Sequence, residues 1–332
     1  MRRAVGSFVV GLAFVAGAAP TATAATAAPA DPPGCTRTAL PSGGVHIVCA
    51  QGVPAGTSLD GTDKADVIEV RGGDAATGHL SGTVNGLGGD DVIVVDRILA
   101  GGIDGGDGDD RITVTDTDGW SVQGAIRGGA GDDTITTGSV SYRGRIDGGA
   151  GNDVIGTGTV TATSVDGGDG DDILRIAAYR VPGYDKTSRI DGGPGDDTIA
   201  VGSLGGPVHG GPGADAITVG STAPIDSRLP KPATVDGDEG DDVIHVGAVG
   251  ADSTSRSTYV RGGAGADLIE VPSAGQAGYV TVSGDDDDDV IQGPGGTAIV
   301  LGPYGTVDGG KGDNLCRTDN RLGGTVVNCR AV

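Results

Sequence analysis

Twelve glycine-rich copies of one short pattern run through this chain, and they restrict what it can fold into more than any other feature. One copy reads Ile103-Asp-Gly-Gly-Asp-Gly-Asp-Asp110-Arg-Ile112-Thr-Val114, and others run from Ile126 to Ile135, Ile146 to Ile155, Val165 to Ile176, Ile190 to Val201, Val208 to Val219, Val235 to Val246 and Val260 to Val271. Weaker copies start at Leu59, Val84, Val282 and Val307. An aliphatic residue stands two places before the first loop glycine in all twelve copies, and Asp holds the sixth loop position in eleven, Asn314 being the exception. Two residues further on comes Ile or Leu in eleven copies, and Cys316 in the last. Internal repetition at such a period implies stacked units rather than a globule. The glycines permit positive φ and close approach of backbones. The Asp-x-Ile-x-Val that follows has period two, so it is a short strand with one face inward. Inward residues of successive strands then form aliphatic ladders.

The first loop glycines fall at 61, 86, 105, 128, 148, 167, 192, 210, 237, 262, 284 and 309, with spacings from 18 to 27 residues. The shortest spacing equals one coil of two strands and two turns. Each repeat is therefore one coil, with one glycine loop and one non-consensus second turn that absorbs the variable length. The expected fold is all-β: a right-handed parallel β-roll or β-helix solenoid of about twelve coils. One edge is a column of Asp-rich loops. The other carries insertions, including Ala177 to Arg189, Ser221 to Thr234 and Ala251 to Tyr259. These gather scarce basic and aromatic residues: Tyr179, Arg180, Tyr184, Lys186, Arg189, Arg228, Lys231, Arg256 and Tyr259.

The pattern G-G-x-G-x-D-x-U-x resembles the hemolysin-type (RTX) calcium-binding repeat family, whose nonapeptide is a known β-helix signature. The resemblance covers roughly Leu59 to Cys316. It implies calcium ions held between loops of successive coils, with loop carbonyls and the sixth-position carboxylates of Asp66, Asp91, Asp110, Asp133, Asp153, Asp172, Asp197, Asp215, Asp242, Asp267 and Asp289 as ligands. One departure matters. Family arrays often run nonapeptides back to back and so carry calcium loops on both edges, whereas here only one edge has them.

Composition supports a cation. Of 45 acidic residues 42 are Asp, the three Glu being Glu69, Glu239 and Glu270, against 22 basic residues and a formal charge of −23. Short Asp side chains suit tight turns and also hard cations. Gly-Asp-Asp is good turn chemistry without any metal, which is the competing explanation. Stacked coils, however, place equivalent carboxylates about 4.8 Å apart, where each neighbouring pair repels by about 1 kcal/mol even in water. Some 8–11 calcium ions, roughly one per junction, would nearly cancel the charge. Magnesium, which demands octahedral geometry and dehydrates reluctantly, suits such loops less well. So strong a negative charge disfavours nucleic acid and anionic membranes as partners.

The first 24 residues read as a signal peptide: Arg2 and Arg3, an apolar run from Val5 to Ala19, and a small-residue cleavage site at Ala22-Thr23-Ala24. A membrane anchor is the alternative, but the run is short for a span of about 20 residues. Cleavage takes the charge to −25. The expected organisation is signal peptide 1–24, linker and N-terminal cap 25–58, repeats 59–316 and C-terminal cap 317–332, in a secreted, extracellular chain. Cys35, Cys49, Cys316 and Cys329 sit as two close pairs at opposite ends, which in an exported chain points to disulfides. Twelve coils make a rod about 55 Å long, and bridgeable α-carbons lie within about 7 Å. Local pairing, Cys35 with Cys49 and Cys316 with Cys329, is therefore expected at both ends.

No G-x-S-x-G or H-E-x-x-H motif is present, and the repetitive Asp residues read as metal ligands rather than as a catalytic acid pair. His46, His79, His209 and His245 read as surface residues, and Trp120 as packing beside a turn. The resemblance places enzymatic activity in separate catalytic domains, for which neither flank is long enough. The expected function is that of a non-enzymatic extracellular calcium-binding repeat protein with a structural or interaction role, its macromolecular partner an extracellular polysaccharide or cell-wall component. A polysaccharide lyase or epimerase using the insertion edge is the alternative. Ice binding would require a sustained Thr ladder, and no such register runs through the repeats.

Overall fold

The computed structural model describes residues 30–332 apart from 73–78, 116–121, 142–143, 184, 223–231, 250–256, 277 and 332. The expected signal peptide lies outside the described residues, as do Trp120, Tyr184, Arg228, Lys231 and Arg256.

Each repeat forms two strands joined by its glycine loop. In the copy that starts at Ile103 these are Gly102–Asp107 and Arg111–Val114. The strands that enter the loops stack into a 13-stranded sheet, and those that leave them stack into a 16-stranded sheet, each in chain order. Pairing between coils is parallel and in register: Ile103 with Ile126, Ile126 with Ile146, Ile112 with Ile135, Ile135 with Ile155. The chain is thus an all-β parallel solenoid. The helical content among the described residues is one short 3₁₀ turn, Pro294–Gly296. The twelve copies supply twelve of the 13 strands, and so close about eleven turns.

The core is made of aliphatic ladders. The residues two places before each loop, from Leu59 through Ile146 to Val307, are 0–2% exposed. Opposite them Ile68, Ile93, Ile112, Ile135, Ile155, Leu174 and their successors are fully buried. A third ladder, Val53–Leu80–Ile98–Val122–Val140–Val160–Tyr179–Leu204, runs up the second turn through parallel contacts between successive coils. Along this run, from Val53 to Leu204, the second turn therefore has its own inward residue, which gives these coils a three-walled interior.

Length variation is confined to the second turn, as the spacing implies. In the 18-residue coil the strand Thr198–Gly205 is followed after a single glycine, Gly206, by Pro207–Pro212. Elsewhere the gap widens; between Val114 and Ala125 ten residues intervene. The expected insertion at 177–189 needs correction at its start. Ile173–Arg180 is one strand, and Tyr179 is fully buried, donating its hydroxyl hydrogen to the Thr163 carbonyl at 3.3 Å. An aromatic placed by sequence on an exposed edge is instead the largest member of the third ladder.

Both disulfides are local. Cys35 and Cys49 face each other across the antiparallel pair Cys35–Ala39 and Val45–Cys49, and the second of these strands then joins the first coil in parallel. Cys316 bridges Cys329 with α-carbons 5.5 Å apart. The C-terminal residues do more than cross the open end. Thr318–Asp319, Thr325–Val327 and Arg330–Ala331 each extend a sheet in parallel, completing one further turn without a glycine loop. Each bridge closes a loop of 13–14 residues, worth about 3 kcal/mol in the chain-entropy account. In a stack where each coil touches only its neighbours, such a loss stays local. Replacing Cys316 and Cys329 with Ser should therefore quicken amide exchange across residues 315–331 and leave the central coils unchanged. Uniform loss of protection along the array would contradict this.

Candidate metal centre

The loops bring the sixth-position aspartates into one column. All eleven are 1–2% exposed, an unusual degree of burial for carboxylates. One oxygen of each carboxylate is occupied in the same way along the array. The backbone N–H of Asp66 donates to Asp91 Oδ1, that of Asp91 to Asp110, that of Asp110 to Asp133, and so on to Asp289, which donates to Asn314 Oδ1, all at 2.7–3.0 Å. Each coil is thereby tied to the next by a side chain as well as by its sheets.

The other oxygen is different. Oδ2 of Asp91, Asp110, Asp133, Asp153, Asp172, Asp197, Asp215, Asp242, Asp267 and Asp289 is buried and has no hydrogen-bond partner among the described residues. A buried, unsatisfied carboxylate oxygen carries a substantial free-energy cost. Its surroundings are acceptors too. A Cβ built on Gly148 would collide with Asp153 Oδ2 and with the carbonyl oxygen of Gly167, and the same pair of oxygens crowds the first loop glycine of each neighbouring coil. This is where glycine is required: any side chain would fill the space into which carboxylate and carbonyl oxygens converge. The positive φ of the following glycine, Gly149 at +124°, holds the loop open in a conformation that L-residues avoid.

The electrostatics follow from this burial. It pushes the carboxyls of Asp91, Asp110, Asp133, Asp153, Asp215 and Asp267 up to about 7, that of Asp197 to about 8, and those of Asp172, Asp242 and Asp289 to about 6. Neighbouring carboxylates push the same way, and the backbone N–H bond to Oδ1 opposes them. Such groups need either a proton or a cation. An all-oxygen cleft of carboxylates and backbone carbonyls fits a hard divalent ion.

The two ends of the column are closed without one. Asp66 accepts from the Val45 N–H at 2.5 Å, the Thr62 N–H at 2.5 Å and the Thr62 hydroxyl at 3.0 Å, so both of its oxygens are satisfied. At the other end Asn314 replaces the orphan oxygen by an amide nitrogen, which donates to the Lys311 carbonyl at 3.2 Å. The sequence-derived ligand set therefore divides: Asp66 stands in a hydrogen-bonded terminus, and the ten carboxylates from Asp91 to Asp289 have a free buried oxygen.

A second ladder was missed by the sequence reading. The fifth loop position is Asp or Asn in nine of the twelve copies, and its side chains bond in the opposite sense. Asp109 N–H donates to Asp90 Oδ1, Asp132 to Asp109, Asn152 to Asp132, Asp171 to Asn152 and Asp196 to Asp171, at 2.7–3.1 Å. The signal was the Gly-x-Gly-Asp-Asp doublet itself, whose first Asp is exposed turn chemistry and whose second is the buried one.

Of the described residues expected on the insertion edge, Tyr179 is buried in the core, and Tyr259 lies within a strand of the 13-stranded sheet. Arg189 pairs with Asp191, and Arg261 lies 5.6 Å over the Tyr259 ring within the strand Ser257–Ala264. His46 pairs with Glu69 at 2.9 Å and His245 with Glu270 at 3.1 Å. Among the described residues no helix is long and apolar enough to cross a membrane.

Fold and column together define a class: a parallel β-solenoid with a glycine loop on each of its twelve repeats and a buried carboxylate column along one edge. No family model matches the chain, and no curated protein matches it either. Among solved structures it is similar to a hyperactive, Ca2+-dependent, beta-helical antifreeze protein from an Antarctic bacterium, with a TM-score of 0.53 and 21% identity over 85% of this chain and 78% of that one. At that identity the likeness is one of fold.

Proposed function

We propose that this chain is a secreted calcium-binding repeat protein of the hemolysin type, in which calcium occupies the loop column and the folded solenoid is the functional product. The observation that carries this reading is the set of ten buried Asp Oδ2 atoms without a partner, each facing a backbone carbonyl. The Ca2+-dependence of the solved β-helical neighbour supports it. The charge of −23 supports it as well, since about ten divalent ions would offset most of it. Export as an unfolded chain from a calcium-poor cytoplasm, with folding outside, fits both the leader-like N-terminus and the disulfides.

The role is structural or one of interaction, without catalysis, and a polysaccharide or cell-wall partner remains part of the proposal. The alternative, a lyase or epimerase at the insertion edge, loses one of its three tyrosines because Tyr179 is buried. Ice binding gains nothing from this outward row of the 16-stranded sheet. Thr134, Val154, Ile173, Thr198, Ala216 and Val243 succeed one another in register without a Thr ladder.

Calorimetric titration of metal-free protein tests the reading. About ten calcium ions should bind per chain. Asp153→Asn should lower that number by one or two, and Asp66→Asn should leave it unchanged, because Asp66 is already satisfied by hydrogen bonds. Equal effects of the two substitutions would count against the column as the calcium site.

A further inference from the structure

We propose that the outer face of the 13-stranded sheet carries a second metal site, distinct from the loop column, formed by His209, Asp236 and Asp238 and suited to a borderline transition-metal ion such as zinc. The topology builds it. His209 and Asp236 are register partners on adjacent parallel strands, and Asp191 is the register partner of His209 on the other side. Asp238 lies two residues beyond Asp236, so it returns to the same face. It occupies the place of a loop glycine, pairing in register between Gly211 and Gly263, and holds φ at +74°.

One ligand atom from each of the three side chains lies within 4.8 Å of the others, and His209 Nδ1 stands 3.1 Å from Asp238 Oδ2. For metal–ligand bonds of about 2.0–2.1 Å in a tetrahedral shell, two ligand atoms lie about 3.3 Å apart, so this edge is already at coordinating distance. The cluster opens onto a surface hollow of about 420 Å³ lined in part by Asp191, His209, Asp238 and Glu239. That leaves the remaining coordination position to solvent or to Asp191. Arg261 approaches Asp236 at 3.6 Å from the next strand and Arg189 pairs with Asp191, so the site is not a simple excess of negative charge. The imidazole nitrogen sets its preference. Nitrogen ligands favour zinc, copper and nickel over calcium and magnesium, so this site and the loop column sort ions by hardness. The other ring–carboxylate pairs, His46 with Glu69 and His245 with Glu270, offer one acidic partner each.

The inference stands whether or not the loops hold calcium, and its test is arranged to show this. Full-length protein is titrated with zinc by calorimetry at a lower and a higher millimolar calcium concentration, in both of which the solenoid is folded, alongside His209→Asn and Asp238→Gly. The second substitution restores the residue found at that register in both adjacent coils, and so preserves the fold. We expect one zinc equivalent that calcium does not displace, weakened about tenfold or more in each variant, as even the loss of an outer-shell partner weakens metal sites that much. Calcium uptake and the circular dichroism spectrum should not change. Absence of zinc binding by the wild type, displacement by calcium, or equal binding by the variants would each overturn the proposal.

Discussion

Withdrawing calcium at neutral pH should collapse the solenoid into a largely disordered chain, and restoring it should bring the β-structure back. The apo column stacks ten carboxylates whose second oxygens are buried without partners. Each neighbouring pair at the spacing of adjacent strands repels by about 1 kcal/mol even at the dielectric constant of water. Against this stands a thin core of aliphatic ladders in which, among the described residues, Tyr179 is the one buried aromatic, and both Phe residues lie in the first 14 positions. A site that forms only on folding turns binding energy into folding energy. Far-ultraviolet circular dichroism in excess chelator at pH 7.5 reads this directly. A spectrum that did not change on chelation would show that the coils hold together unaided.

Protons should partly replace the ion, with a definite sign. Burial raises the carboxyls of Asp110, Asp133 and Asp153 from an ordinary value of 3.8 to about 7. Between these limits the metal-free folded state binds more protons than the unfolded chain, so its stability falls as pH rises. The stabilisation is fully present below about pH 4 and is lost as pH climbs through about 7. Dialysed, metal-free protein should therefore regain β-structure when taken from pH 8.5 to pH 5 and lose it on return. With calcium bound the same excursion should leave the fold intact at pH 8.5, because the cation holds the carboxylates ionised. Ten sites titrating in one window make this the steepest pH response expected of the chain. Metal-free protein that is better folded at pH 8.5 than at pH 5 would refute the assignment.

The repeats made most of the fold legible. Gly-Gly-x-Gly-x-Asp fixed the loops, the alternation after Asp110 or Asp153 fixed the strands, and the 18-residue spacing of Gly192 and Gly210 fixed one coil per repeat. Local pairing of Cys35 with Cys49 and of Cys316 with Cys329 followed from the separation of the ends and is what the structure has. The third ladder was not legible. Val53, Leu80, Ile98 and Tyr179 stand at irregular distances from their loops, and only the pairing of neighbouring coils selects which residue of each second turn points inward. The final turn was hidden for a related reason: residues 317–332 contain no glycine loop, and Thr325–Val327 finds its place by pairing with Gly305–Asp308. The ends of the column escaped because position, not residue type, separates Asp66 from Asp91. The carboxylate of Asp66 meets the strand Val45–Cys49 instead of another glycine loop.

The hydrogen bonds of the sixth-position column all point one way. Each aspartate gives its N–H to the coil that follows and receives one from the coil that precedes, from Asp66 to Asn314. A loop is therefore never finished by its own residues; half of its frame belongs to the next. If calcium fills the column as proposed, occupancy of one junction should order the frame of the adjacent one, and the column should respond as a chain of coupled switches rather than as ten independent ones, in the manner of other one-dimensional repeat arrays. The sharpness of the transition then becomes a matter of arithmetic length. Lengthening the run of coils should steepen the response to calcium, and one faulty junction near the middle, at Asp153 or Asp172, should divide a single abrupt transition into two shallower ones.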